Sequence, residues 1–108
     1  MDNELAVALF SALAQDTRLS AFQLLASHEP QGLPAGEVAR QLNVPQNTMS
    51  VHLATLARAG LIRSERHSRH KIYRADCAHL MALALFLAKG CNADMAGESH
   101  TLFKDVQV

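Results

Sequence analysis

The three residues Asn43-Val44-Pro45 separate two stretches of helical periodicity, and that spacing constrains the fold more than any other feature of the chain. Before them, Pro34 suits the first turn of a helix ending near Leu42, with Val38, Ala39 and Leu42 on its apolar face. After them a helix is expected from about Gln46 to Ala59, with Met49, Leu53 and Leu56 facing the core. Gly60 is well placed just past its end. Two helices joined by so short a turn make a helix-turn-helix.

The rest of the chain fits around that unit. Residues 4–14 place Leu5, Leu9 and Leu13 at i, i+4 spacing, with Ala6 and Phe10 on a neighbouring stripe. Asp16 is expected to cap a second helix, Thr17 to Ser27, with Leu19, Phe22 and Leu25 in register. Glu29-Pro30-Gln31-Gly32 reads as a loop. Leu61–Glu65 and Lys71–Ala75 read as short strands around a charged tip, Arg66-His67-Ser68-Arg69-His70, forming a wing. Asp76 can cap a last helix running to about Lys89. There Leu80, Leu83, Ala84 and Leu87 make one apolar face, and Met81, Leu85 and Ala88 another. A helix apolar nearly all round needs cover on two sides, most economically from a second copy of the chain. The expected architecture is mainly α with a small β-hairpin, a winged helix-turn-helix in the order α-α-α-α-β-β-α. Residues 1–92 form that domain, and 93–108 a tail without clear period, expected to be partly flexible.

The formal net charge is zero, but its distribution is uneven. Between Arg40 and Arg74 seven cations face a single acid, Glu65; the remainder holds three cations and nine acids. Such a segregation points to a polyanionic partner. Within the basic segment, Gln46, Asn47, Thr48, Ser50, Val51 and His52 open the helix that follows the turn. These short side chains suit base edges in a major groove: Gln and Asn pair with adenine, Ser and Thr with base or phosphate, Val with a thymine methyl. On the wing, Arg66, Arg69, His70 and Lys71 are the candidates for phosphate or minor-groove contact, and some of Arg63, Arg66 and Arg74 are left for its solvated back. The expected partner is double-stranded DNA.

Several runs resemble the ArsR/SmtB family of bacterial metal- and stress-responsive repressors. They are Ala12-Leu13-Ala14-Gln15-Asp16-Thr17-Arg18-Leu19, Leu33-Pro34-Ala35-Gly36-Glu37-Val38-Ala39, Met49-Ser50-Val51-His52-Leu53, and Leu56 with Ala59-Gly60-Leu61-Ile62. The resemblance covers roughly residues 5–91. It implies a homodimer joined through the first and last helices, bound to an inverted repeat and blocking transcription until an inducer binds.

The family's inducer sites can be compared with this chain. Its arsenic site on the third helix needs cysteines, and Gly36 to Arg40 hold none. Its Asp-x-His pair at the start of the last helix is broken, because Ala78 stands two residues after Asp76. A shifted set remains, Cys77-x-His79 with Cys91-x-x-Asp94 from a partner subunit, whose thiolates, imidazole and carboxylate suit zinc. Phe86-Leu87-Ala88-Lys89-Gly90-Cys91-Asn92 is similar to the end of a subgroup that binds trivalent arsenic through adjacent cysteines and a third thiol. Asn92 fills the second position and no thiol follows, so three-thiolate binding within one chain is excluded. Cys91 with a partner's Cys77 leaves trivalent arsenic or antimony as candidate ligands, zinc less so. Thiol oxidation or reactive-sulfur sensing by Cys91 and Cys77 is an alternative, as is a ligand-independent DNA-binding protein with structural cysteines.

No paired carboxylates, nucleophile–base grouping or glycine-rich phosphate loop is recognisable, so an enzyme is not expected. The longest apolar run, Leu80–Ala88, has nine residues, too few to span a bilayer. Asp2 and Glu4 stand where a secretory leader carries cations, and two cysteines are too few for a disulfide framework. A reducing cytoplasm is the expected compartment.

Overall fold

A computed structural model describes residues 1–91; the tail, with Asp94, lies outside the described residues. The elements are α1 (Asn3–Leu13), α2 (Asp16–Ser27), β1 (Leu33–Pro34), α3 (Ala35–Leu42), α4 (Gln46–Arg58), β2 (Ile62–His67), β3 (His70–Ala75) and α5 (Cys77–Ala88). Among the described residues no helix is long and apolar enough to cross a membrane.

Helix termini leave backbone groups unpaired, and side chains supply a partner at the starts of α1, α2 and α5. The Leu5 N–H donates to Asp2 Oδ1 at 2.8 Å, opening α1. The far end of α1 has no cation of its own and borrows one. Arg18, from α2, donates through Nε to the Ala12 carbonyl at 2.6 Å and through Nη2 to Ser11 at 3.4 Å. The cap of α2 is Gln15 rather than the expected Asp16: Gln15 is extended, and its Oε1 accepts from the Arg18 N–H at 2.8 Å. Asp16 sits one residue further in, where its charge favours the positive end of the helix.

The helix-turn-helix closes on two similar backbone motifs. Asn43 takes a left-handed conformation (φ 57°), so that the Val44 N–H reaches the Ala39 carbonyl and the Asn43 N–H the Arg40 carbonyl. Gly60 (φ 85°) ends α4 in the same way, with Leu61 donating to Leu56 and Gly60 to Ala57. Both are Schellman closures, which need a residue tolerant of positive φ at the turning point. Behind them Leu9, Leu25, Val38, Met49, Leu53, Leu56 and Leu61 are wholly buried in one cluster.

Two features differ from expectation. A third strand exists, because Leu33 and Pro34 pair antiparallel with Tyr73 and Ile72, giving the sheet order β1-β3-β2. Pro34 is therefore the residue that leads into α3, not part of its first turn. The hairpin is also longer than expected, with Arg66, His67, His70 and Lys71 paired within it and only Ser68-Arg69 left as the turn. Ser68 alone in that turn has a positive φ (59°), which is the φ pattern of a type II′ connection.

The outer helices bury less than their composition offers. In α1 the buried residues are Ala6, Leu9 and Ala12, while Leu5, Val7 and Phe10 are exposed; Leu19 of α2, expected in the core, is exposed as well. In α5 only Leu83 is fully buried, with Leu80 and Phe86 half-buried beside it. Ala84 and Leu87, grouped with Leu80 and Leu83 on one apolar face, are exposed, and Met81, Leu85 and Leu87 stand 56 %, 65 % and 64 % exposed. The core takes residues spaced three apart on α5, and the rest of its apolar surface faces away.

Two substitutions test these joints. Arg18→Ala removes hydrogen bonds from a charged donor to the end of α1 and should cost about 1–2 kcal/mol in urea unfolding. Gly60→Ala puts a Cβ 2.9 Å from the His79 ring at a left-handed position, and should cost at least as much.

Candidate nucleic-acid interface

One side of α4 is in the core and the opposite side is in water. Met49, Leu53 and Leu56 are wholly buried, whereas Gln46, Asn47, Thr48 and Ser50 are exposed and Val51 is 65 % exposed. His52 is half-buried, so it is less available than the others. Pro45 precedes the helix without a side-chain cap, and the first turn carries no acid. The positive end of the helix is thus left open to an anion. The Gln46 amide lies over Gly36, where a Cβ would come within 3.2 Å of its Oε1, so a small residue on α3 gives this side chain its seat. Asn47 Oδ1 accepts from the Thr48 N–H at 2.9 Å.

The register of the hairpin sorts the wing's charges between two faces. Ile62 with Ala75, Ser64 with Tyr73, and Arg66 with Lys71 are cross-strand pairs on one face; Arg63 with Arg74, Glu65 with Ile72, and His67 with His70 lie on the other. The first face enters the core through Ile62, Tyr73 and Ala75 and ends at the tip in two cations, with Lys71 Nζ 5.6 Å from the Tyr73 ring centroid. The second ends at the tip in two imidazoles. Arg69 stands in the turn between them, exposed.

Acids withdraw some of the cations. Arg40 grips Glu37 through Nε at 2.8 and 2.9 Å and through Nη2 at 2.7 Å. Hydrogen bonding from Arg40 holds the Glu37 carboxyl below its ordinary value, and the same contact raises Arg40. Arg74 Nη1 meets Glu65 Oε1 at 2.6 Å across the hairpin, and Arg63 lies 4.0 Å from Asp76. Arg66, Arg69 and Lys71 have no ion-pair partner among the described residues. On the wing they are the cations most available to a phosphate backbone.

The cysteines sit at opposite ends of α5, both free and exposed. Fourteen positions apart on a mostly helical path, they are separated by about 20 Å. They cannot bond to each other or share an ion within one chain. His79 Nδ1 is 2.7 Å from the Gly60 carbonyl, an acceptor only, so this nitrogen carries a hydrogen and is engaged. Asp76 Oδ1 meanwhile accepts from the His79 N–H at 3.0 Å. No group of three metal-ligating side chains occurs among the described residues. Nineteen residues of sequence separate His79 from Gly60, and no local signal announced the contact.

Residues 13–65 match a family model described as a helix-turn-helix domain. The chain is 34 % identical over 96 residues to YdfF of Bacillus subtilis (strain 168), an HTH-type transcriptional regulator; the match covers 86 % of this chain and 42 % of YdfF. The chain thus spans less than half the length of that relative. YbzH of the same organism, also an HTH-type transcriptional regulator, is 32 % identical over 93 residues, covering 75 % of this chain and 93 % of YbzH. An ArsR-like transcriptional regulator from Rhodococcus sp. RHA1 shares the fold with a TM-score of 0.73 and 24 % identity, covering 96 % of this chain and 91 % of that one. The homodimeric winged helix-turn-helix DNA-binding domain Mb0332 of Mycobacterium bovis, a possible ArsR-family regulator, matches with a TM-score of 0.65 at 27 % identity over 80 % of each chain. With the helix-turn-helix, the wing and these relatives in agreement, the chain belongs to the ArsR/SmtB family of winged helix-turn-helix transcriptional regulators.

Proposed function

We propose that the protein is a homodimeric, cytoplasmic repressor that docks on an inverted-repeat DNA operator and is released by an inducer near the end of α5. The observation that carries the DNA-binding part is the outward side of α4, where Gln46, Asn47, Thr48, Ser50 and Val51 stand exposed over a wholly buried opposite side. Beside it, Arg66, Arg69 and Lys71 on the wing have no ion-pair partner among the described residues. Gln46 and Asn47 would read adenine edges, Thr48 and Ser50 would bind base or phosphate, and Val51 would meet a thymine methyl. His52 would act at the margin. The wing, with His70 among its tip residues, would grip phosphates or the neighbouring minor groove.

The dimer is supported by the apolar surface that α1 and α5 leave in water, including Leu5, Phe10, Met81, Leu85 and Leu87. The similar Mycobacterium bovis domain is itself homodimeric. Two α4 helices related by a two-fold axis would enter successive major grooves about 34 Å apart, hence the near-palindromic operator. Occupying a promoter in this way excludes the transcription machinery by overlap.

For the inducer, the separation of Cys77 and Cys91 within one chain favours a site shared across the dimer, such as Cys91 with the partner's Cys77. Trivalent arsenic or antimony suits two thiolates. A zinc set of Cys77, His79, Cys91 and Asp94 is a lesser candidate; it would use His79 Nε2, since Nδ1 holds the Gly60 carbonyl. Oxidation or persulfidation of the same thiols, or no inducer at all, are the other outcomes of the test.

Fluorescence anisotropy on the DNA upstream of the gene checks each part. Asn47→Ala should weaken the cognate site by about 1–3 kcal/mol and relax its sequence preference. Arg69→Ala should weaken all duplexes alike and flatten the salt dependence. If neither changes affinity, the reading surface is misplaced. Trivalent arsenic or antimony should release wild type but not Cys91→Ser. Release by a persulfide donor instead would assign sulfur sensing, and release by nothing would make the cysteines structural.

A further inference from the structure

The wing carries two histidines at its tip, of which the proposed docking uses only His70. His67 and His70 are direct cross-strand partners flanking the turn, both exposed, on the face opposite Arg66 and Lys71. Among the described residues the charged groups around them are few. Glu65 Oε2 lies 3.4 Å from His67 Nε2, but the same carboxylate is held by Arg74 at 2.6 Å. Arg69 stands in the turn, and Arg66 and Lys71 follow on the adjoining strand positions. β1 pairs with β3 only as far as Ile72, so no third strand among the described residues reaches the tip.

We infer that the His67–His70 pair couples DNA binding to proton uptake, so that affinity for duplex DNA rises as pH falls through the imidazole range. The inference rests on the wing being a DNA contact. An imidazole ordinarily titrates near pH ~6.5. A duplex brings about one negative charge per 1.7 Å of its axis, and a phosphate beside the exposed pair favours the protonated rings. The complex therefore holds more protons than its separated components, and acidification favours it. His52 belongs to α4 and is half-buried, so it is expected to contribute less.

The contact is to phosphate, so a duplex of arbitrary sequence and about three helical turns suffices as the probe. Its binding to the full chain is measured by anisotropy at fixed ionic strength between about pH 8 and pH 6. Wild-type Kd should fall about tenfold or more over that range. The double variant His67→Gln/His70→Gln should lose most of the pH response, read as the ratio of its own Kd values at the two ends of the range. His52→Gln should keep it. A flat wild-type profile overturns the inference, as does a response that survives the double variant or disappears only in His52→Gln. Absence of binding at every pH overturns the DNA-binding reading itself, a result distinct from binding without pH dependence.

Discussion

Everything exposed on the candidate DNA surface depends on α4 being held from one side only. Met49, Leu53 and Leu56 have no contact with water, and their spacing of three and four residues fixes the rotation of the helix about its axis. Once that rotation is set, Gln46, Asn47, Ser50 and Val51 have no direction left but outward. The two Schellman closures, at Asn43 before the helix and Gly60 after it, fix its entry and exit. Polar side chains at the start of a helix say little alone. Here they share a helix with a buried stripe that leaves them no freedom of register.

The helix-turn-helix was legible because its signals are local. Helical periodicity on both sides of Asn43-Val44-Pro45, with Gly60 at the far end, needs no knowledge of the rest of the chain. The third strand was not legible, since Leu33-Pro34 is too short to show alternation and exists only by pairing with Tyr73 and Ile72, nearly forty residues on. The hairpin tip was misread for a related reason. Arg66, His67, His70 and Lys71 are all polar, so alternation gives no phase, and the register is set further down by Ile62, Tyr73 and Ala75. On α5 the difficulty was an excess of apolar residues: with almost every position hydrophobic, nothing in the sequence told Phe86 from Leu87.

Charge shows the same division between local and distant. The segregation of cations between Arg40 and Arg74 was plain in the sequence, but which of them are occupied was not. The Glu37–Arg40 pair lies within one helical turn and could have been anticipated from its i, i+3 spacing. The Glu65–Arg74 pair crosses the hairpin and required the register. The contact between His79 and the Gly60 carbonyl is more distant still, and it ties the first turn of α5 to the end of α4. Asp76 stands beside it, holding the His79 N–H with one carboxylate oxygen and lying within 4.0 Å of Arg63 with the other. The reading helix, the wing and the outer helix thus meet at one point.

The apolar residues that α1 and α5 leave in water bear on how much of the protein exists in working form. Leu5, Phe10, Met81, Leu85 and Leu87 are each worth about 1.5–3 kcal/mol when fully removed from water. With the pairing proposed above, much of that free energy becomes available only when two chains meet, so folding and assembly become a single bimolecular event. Dilution then acts as a denaturant. A cell holding few copies would lose folded protein and operator occupancy together. The abundance of such a chain is thereby part of its own set point.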